Sequence, residues 1–437
     1  MAPSPADDEP SVAPDSLEVH PFRATTYAVH DPDHLARVSS PAYDLVSAEG
    51  RARLAAADPH NVVRLILPEL DGPPPASRAA RDQLSATQAA LTWTRWREEG
   101  VLVDDAAPAF WLYRMSGPGD EVTTGWLGAV TLPPPGSAAV LPHEDVWPPA
   151  VEGRRLLLDA TRTDLEPIVL SHDRDTDVAA VTEQLGRGPA DATVADVDGV
   201  THELWRVTDP AALDRLSAGF ARTGAYIADG HHRFAAARAH AATGAAGSGA
   251  VLALLTPTGW GGLRVRAIHR VVPDLDLDTA AELARSGFTV TPVSTSTPEA
   301  TARAWVDRPE CGCFLLTDGT RLLQVGDPSA EVRARVPGEA PAAWRSLDVV
   351  LAHHGLVRGA WGRDPADPRS VLIAHDVDEA LTRARDTGGV AVLLRSPSPG
   401  DVAAVARAGA RMPRKSTLFV PKPRTGLVFR PHRGAPD

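Results

Sequence analysis

Lysine is nearly absent from this 437-residue chain: of its 44 basic residues only Lys415 and Lys422 are lysines, and Asn61 is the single asparagine. A skew this strong points to pressure on codon composition, so the few positions that escape it are candidates for chemical need. Both lysines fall within residues 411–423. Cysteine is equally scarce. Cys311 and Cys313 sit two apart in a strand-like run, where i and i+2 share a face. Half a zinc site needs a second Cys/His pair, and none is placed to complete it, so two reduced structural thiols are expected.

Long apolar runs are missing too. The chain contains no stretch of about 18 uninterrupted apolar residues, and its start lacks a basic segment followed by an apolar one. Neither a membrane span nor secretion is expected, and the protein reads as cytoplasmic. An excess of positive charge is also lacking: a formal charge of -12 argues against an extended nucleic-acid footprint, which needs a concentrated basic face. A local basic pocket is compatible with that balance. The usual nucleotide signatures do not occur, neither Gly-x-x-x-x-Gly-Lys-Ser/Thr nor Gly-x-Gly-x-x-Gly after a strand. A nucleotide must therefore be held in another way. No internal repeats are found.

What remains is ordinary globular material, long enough for two or three domains with ample cores. Residues 1–16 are rich in Pro, Asp, Ser and Ala and cannot bury enough apolar surface to offset the entropy of ordering, so a disordered tail is expected. From residue 17 onward strand-like and helix-like stretches alternate. Residues 61–67 read as a strand, followed by an Ala- and Arg-rich helix to about residue 99, closed by Gly100. Residues 126–132 and 139–141 read as strands flanking a rigid Pro-Pro-Pro-Gly-Ser loop, which leaves Pro142-His143-Glu144 at a strand end. Residues 225–228 and 251–255 are strands on either side of a helix at 234–242 that Gly244 ends. The reading is α/β with an α+β tendency. A Pro/Asp-rich junction at 273–274 opens a C-terminal α/β portion, which gives a first domain over 17–272, with its core at about 120–272, and a second over 273–437.

The segment Asp229-Gly230-His231-His232-Arg233 lies where a buried strand turns into a helix, so backbone amides and the positive dipole end point at one spot. Such a spot attracts phosphate. Asp229 is placed to cap the helix, Gly230 lets the chain turn and another group approach, the histidines add donors, and Arg233 can grip a phosphate bidentately. A purely structural helix start, with one histidine bonded to a neighbouring loop, is the plain alternative. Zinc is the sharper one, yet adjacent helical residues point about 100° apart and the His-x-x-x-His spacing is missing. Glu144 at the strand end is either a functional carboxylate or a surface one. Arg154, Arg155 and Arg162 line an anion pocket or a solvated face, and His353 and His354 read as core or boundary residues of an apolar helix.

At these residues the sequence resembles a known family. Val19-His20-Pro21-Phe22-Arg23-Ala24, Pro41-Ala42-Tyr43-Asp44, Asn61-Val62-Val63-Arg64-Leu65, Leu141-Pro142-His143-Glu144, Ile227-Ala228 with the five residues after it, and Met412-Pro413-Arg414-Lys415-Ser416-Thr417 resemble the DUF1015 proteins through most of the chain. A narrower set in the same order, Pro-His-Glu, Asp-Gly-His-His-Arg and Lys-Ser-Thr, resembles the related free-serine kinases of the ParB/sulfiredoxin-like superfamily.

The resemblance implies a ParB/sulfiredoxin-like nucleotide-binding core with an N-terminal extension, and a C-terminal domain whose segment 412–426 supplies substrate contacts. It implies transfer of a phosphoryl group from ATP or ADP, with Mg2+, to a free hydroxyl amino acid, L-serine first. Glu144 is then the general base, and its neighbour His143 is the alternative base or a substrate contact. Asp229 stands near the metal-nucleotide or the attacking hydroxyl, with Mg2+ arriving on the nucleotide and no metal held by protein ligands alone. Gly230, His231, His232 and Arg233 meet the phosphates, and Lys415, Ser416 and Thr417 bind the amino-acid end. His231 stands where sulfiredoxin has its nucleophilic cysteine, so sulfinic-acid repair at this position is excluded. A nucleotide-binding switch and a phosphate-ester hydrolase are the alternative functions. The oligomeric state is not readable.

Overall fold

Alternation of short apolar strands with Ala-rich helices produces a mixed α/β protein. The computed structural model describes residues 15–70, 72, 75–118, 121–197, 199–306 and 314–433. Most of the expected N-terminal tail and both cysteines lie outside the described residues. The rest divides into two units: the first takes in 15–141, 146–263 and 421–433, the second 142–145 and 264–420.

The first unit is built on a nine-stranded mixed sheet. From one edge the order runs Val140–Leu141, Ala225–Asp229, Ile168–His172, Ala250–Pro257, Val122–Thr131, Phe110–Ser116, Thr201–Val207 and Ala192–Ala195, with Val19–His20 added beside Val122–Thr131. The strands from Ala250 onward in that order pair antiparallel, whereas Ile168–His172 pairs parallel with Ala250–Pro257, and Ala225–Asp229 parallel with Val140–Leu141. Ile168, Leu170, Ile227, Leu255 and Phe234 share one buried cluster, so the core face of the sheet reaches the end of the strand that carries Asp229.

One expected strand is a helix. Residues 61–67 form a short helical turn, Val63–Ile66, because buried Asn61 imposes it. The Asn61 side chain accepts from the Val63 amide at 2.9 Å and donates to the carbonyls of Arg37 and Ser39 at 2.6 and 3.1 Å. This local side-chain bonding outcompetes the β-propensity of the Val-Val-x-Leu-Ile run. The only asparagine of the chain thus has a specific duty.

The second unit carries a six-stranded antiparallel sheet in the order Thr289–Pro292, Leu322–Gly326, Phe314–Thr317, Val390–Leu393, His269–Val272, Leu372–Ala374, and a separate ribbon of Arg264–Ala267 with Thr417–Val420. The junction expected at 273 differs from the contact boundary, which falls at 263/264. His269–Val272 is flanked on both sides by strands of the second sheet and cannot belong to the first. The expected substrate segment 412–426 is divided as well, since residues from 421 onward return to the first unit.

That return is stapled by a buried charge. Arg430–Pro431 pairs with Thr163–Asp164, and Asp164 accepts from Arg430 Nε at 2.8 Å and from the Leu252 amide at 2.9 Å. His432 reaches the other Asp164 oxygen at 3.3 Å and meets His240 at 3.2 Å, while His240 bonds Asp159 through its Nδ1. Burial would raise the Asp164 pKa, but Arg430 and His432 overcome it and hold the carboxyl below its usual range. Removing one partner of a buried pair strands the other charge, so Asp164→Ala is expected to destabilise the first unit by about 3–5 kcal/mol. A urea midpoint lowered at unchanged slope is the readout; a midpoint within error of wild type would show that the staple contributes nothing.

Candidate active site

The chemistry gathers where strand Ala225–Asp229 ends. Its pairing with Ile168–His172 runs Ala225 with His172, Tyr226 with Ser171 and Ile227 with Leu170, then skips Ala228 so that Asp229 faces Val169. One extra residue in a strand reverses the alternation beyond it. Asp229 therefore falls on the face of Tyr226 and not on that of Ile227, which packs in the core cluster. Without this bulge the carboxylate would point into apolar surroundings. Gly230 follows at φ 95, a backbone that L side chains rarely adopt, and a Cβ there would press on Ile168 at 3.0 Å and on the Arg233 guanidinium at 3.2 Å.

The helix His231–Ala241 then begins with Gly230 as its N-cap and no side-chain cap. Asp229, expected to cap it, instead gives one oxygen to Lys422 Nζ at 2.9 Å and the other to Arg233 at 2.5 Å. Lys422 also reaches Asp44 at 2.6 Å, with its side chain only 7% exposed. Burial alone would raise the Asp229 pKa, yet Lys422, Arg233 and His231 overcome it and hold the carboxyl at about 2. The same two carboxylates raise the Lys422 pKa against the opposing effect of its own burial.

Around this pair stands a second layer. Arg233 donates to the Pro167 carbonyl, so its guanidinium is fixed from two sides. Of the three nearby arginines, Arg154 is the one that faces the cluster: it lies 3.6 Å above the Tyr43 ring and 3.9 Å from Glu166. Arg155 is tied to Glu152 and Asp159 of its own helix, and Arg162 ends that helix in a left-handed conformation. Glu166 accepts from the Tyr43 amide at 3.1 Å and the Thr425 hydroxyl at 3.0 Å. His231 is buried, and His232 Nε2 accepts from the Trp147 amide at 3.0 Å, which places its ring proton on Nδ1.

Three cations, Lys422, Arg233 and Arg154, thus meet three carboxylates, Asp44, Asp229 and Glu166, and the cluster is close to neutral. Among the described residues no group of three or more His, Cys, Asp or Glu side chains could hold a metal ion.

The other expected residues belong to the second unit. His143 Nε2 bonds the Thr417 hydroxyl at 3.0 Å, its carbonyl accepts from the Met412 amide, and Glu144 accepts from the Ser416 amide at 3.4 Å. Lys415 stands exposed at a left-handed φ of 55. Arg270, which sequence reasoning missed, is wholly buried; burial pulls its pKa down to about 10, opposed by the charge of Glu144. Arg270 Nε donates to His353 Nε2 at 3.0 Å, and burial and that cation together press the His353 pKa to about 3. His353 is accordingly a neutral acceptor in a π-helical run, Ala352–Ala360.

The model of a family described as a protein of unknown function, DUF1015, matches residues 19–350. The chain belongs to the DUF1015 family. No curated protein matches it. Similar solved structures include a conserved hypothetical protein from Pyrococcus furiosus, 14% identical over 66% of this chain and 90% of that one, at a TM-score of 0.31. A free serine kinase in complex with AMP is 14% identical over 66% and 89%, at 0.30. SbnI from Staphylococcus aureus, truncated at its C-terminus, is 13% identical over 69% and 85%, at 0.33. Likeness at this level leaves the chemistry of this DUF1015 chain to its own residues.

Lys422, Asp44, Tyr43 and Glu166 were not among the expected site residues, although the lysine skew had marked Lys422. Asp229 binds its proton near pH 2 when folded and near its ordinary 3.8 when unfolded. Its depressed value therefore adds stability that is complete above about pH 4 and is lost as the pH falls toward 2. Lys422→Met should cost about 3 kcal/mol at pH 7, because Asp44 and Asp229 then lose the cation they share, leaving Asp229 with Arg233 alone on its other oxygen. It should also flatten the loss of stability between pH 4 and 2, read from urea midpoints across that range. An unchanged acid limb would mean that Lys422 does not hold Asp229 ionised.

Proposed function

We propose that this protein is a small-molecule kinase that moves a phosphoryl group from ATP or ADP to a free hydroxyl amino acid, L-serine first, giving O-phospho-L-serine. The observation that carries this reading is Asp229, kept ionised by Lys422 and Arg233 at a bulged strand end that opens directly into a helix N-terminus. Phosphoryl transfer asks for little covalent help: oriented groups, cations over the transferring oxygens and a base for the hydroxyl proton. The strand–bulge–helix unit is taken as the heart of a ParB/sulfiredoxin-like core.

In this reading the nucleotide phosphates lie at the amide-rich start of His231–Ala241, with Gly230 admitting them and Arg233 and Lys422 as the nearby cations. Because those cations are already matched by carboxylates, a polyphosphate needs a counter-charge of its own, which Mg2+ carried on the nucleotide supplies. The acceptor oxygen gives its proton to Glu144 and forms the new bond to phosphorus. The bond from phosphorus to the nucleotide's bridging oxygen breaks, and its electron pair leaves with ADP or AMP. Arg270 places a positive charge close to Glu144.

Labelled ATP, and separately ADP, with Mg2+ and a panel of free hydroxyl amino acids tests the proposal. Wild type should yield labelled O-phosphoserine; Glu144→Gln should lose turnover by roughly 100-fold or more while retaining nucleotide. Nucleotide binding without product from any acceptor would instead make the protein a regulator, and nucleotide consumption with no amino acid present would make it a hydrolase.

A further inference from the structure

The second unit contains a cavity of about 320 Å³, at the lower end of the roughly 300–1,000 Å³ of small-molecule sites. Its apolar wall includes Leu347, Val349 and Leu394, and its charged groups are Arg395, Asp348 and Asp401. Arg395 donates through Nε and its terminal nitrogen to one Asp348 oxygen, at 3.2 and 2.8 Å. Asp348 is the first residue of the helical turn Asp348–Leu351, where its carboxylate is held by Arg395, and Asp401 is held by the capping box that opens Pro399–Arg407. Burial holds Asp348 above the usual carboxylate range in spite of Arg395.

A guanidinium beside a carboxylate is the charge mirror of an α-amino acid, whose ammonium and carboxylate sit on one carbon. A zwitterion laid antiparallel to the Arg395–Asp348 pair sets each charge against its opposite and adds no net charge to the cavity. A ligand bearing only one of the two charges would add a net charge to the cavity and meet the like-charged member of the pair with nothing to offset it. Ser416 also lines the cavity, and its amide donates to Glu144, so the carboxylate proposed as base is one residue away from the cavity wall. Of the expected substrate residues His143, Lys415, Ser416 and Thr417, only Ser416 lines this cavity.

We propose that this cavity binds the free α-amino-acid acceptor as a zwitterion, with its carboxylate on Arg395 and its ammonium on Asp348 and Asp401. The role of that ligand as phosphoryl acceptor rests on the kinase reading; its binding does not.

Calorimetry without nucleotide tests it, with L-serine, ethanolamine, which lacks the carboxylate, and glycerate, which lacks the ammonium. L-serine should bind wild type, and each single-charge analogue should bind at least about 10-fold more weakly. Arg395→Gln and Asp348→Asn should each weaken serine by about 10- to 100-fold. Ser396→Trp, at an exposed rim position that leaves the ion pair intact, should abolish binding while the circular dichroism spectrum stays native. Absence of serine binding in wild type, equal binding of ethanolamine or glycerate, or full binding in folded Ser396→Trp would overturn the proposal. The two readings fail separately. Labelled O-phosphoserine formed by Ser396→Trp with an unchanged KM for serine removes the cavity and leaves the kinase; zwitterion binding without phosphoryl transfer to any acceptor removes the kinase and leaves the cavity.

Discussion

The first unit depends on one ammonium group. Lys422 Nζ sits between Asp44 and Asp229, residues drawn from the N-terminal stretch and from the end of a central strand, and it arrives on a segment that follows the whole second unit in sequence. Taking that charge out of water costs several kcal/mol, and only close carboxylates offset the cost. The same contact fixes the charge of Asp229, orients Arg233 through it, and closes the C-terminal return onto the sheet. A chain with 42 arginines has reason to keep a lysine here, because a compact ammonium fits between two carboxylates where a planar fork, built for bidentate pairing, does not.

The backbone prepares that meeting. Skipping Ala228 turns Asp229 off the core face, and the left-handed turn at Gly230 starts the helix immediately, so carboxylate, guanidinium and helix dipole converge within five residues. The second unit uses the opposite economy. A wholly buried arginine, Arg270, is satisfied by a neutral histidine and by carbonyls, and its charge is felt by Glu144. In the first unit Lys422 and Arg233 keep Asp229 ionised and positioned; in the second, the buried Arg270 lies close enough to Glu144 to feel its charge.

Much of this was legible in sequence. The strand, turn and helix from residue 225 to 244 follow from an apolar run, a Gly and an Ala-rich stretch, and the polar five residues between them could be singled out by type alone. Three features were not legible. The bulge is a property of register, which only the partner strand at 168–172 defines. The helical turn at 63–66 depends on three hydrogen bonds of one buried amide side chain, against a locally β-favouring sequence. The Lys422–Asp44 contact spans 378 positions, and no local pattern announces it. The scarcity of lysine and asparagine did point at Lys422 and Asn61, both of which prove to be buried and multiply bonded, whereas motif resemblance drew attention to Lys415, which is exposed.

The central claim is that the segment from Gly230 to Arg233, organised by ionised Asp229, receives nucleotide phosphates. The most direct measurement is amide chemical-shift mapping of the deuterated protein during titration with ADP and Mg2+. The account predicts saturable shifts concentrated on the amides of Gly230, His231, His232 and Arg233. Saturable binding that moves other amides and leaves these four unchanged would contradict it.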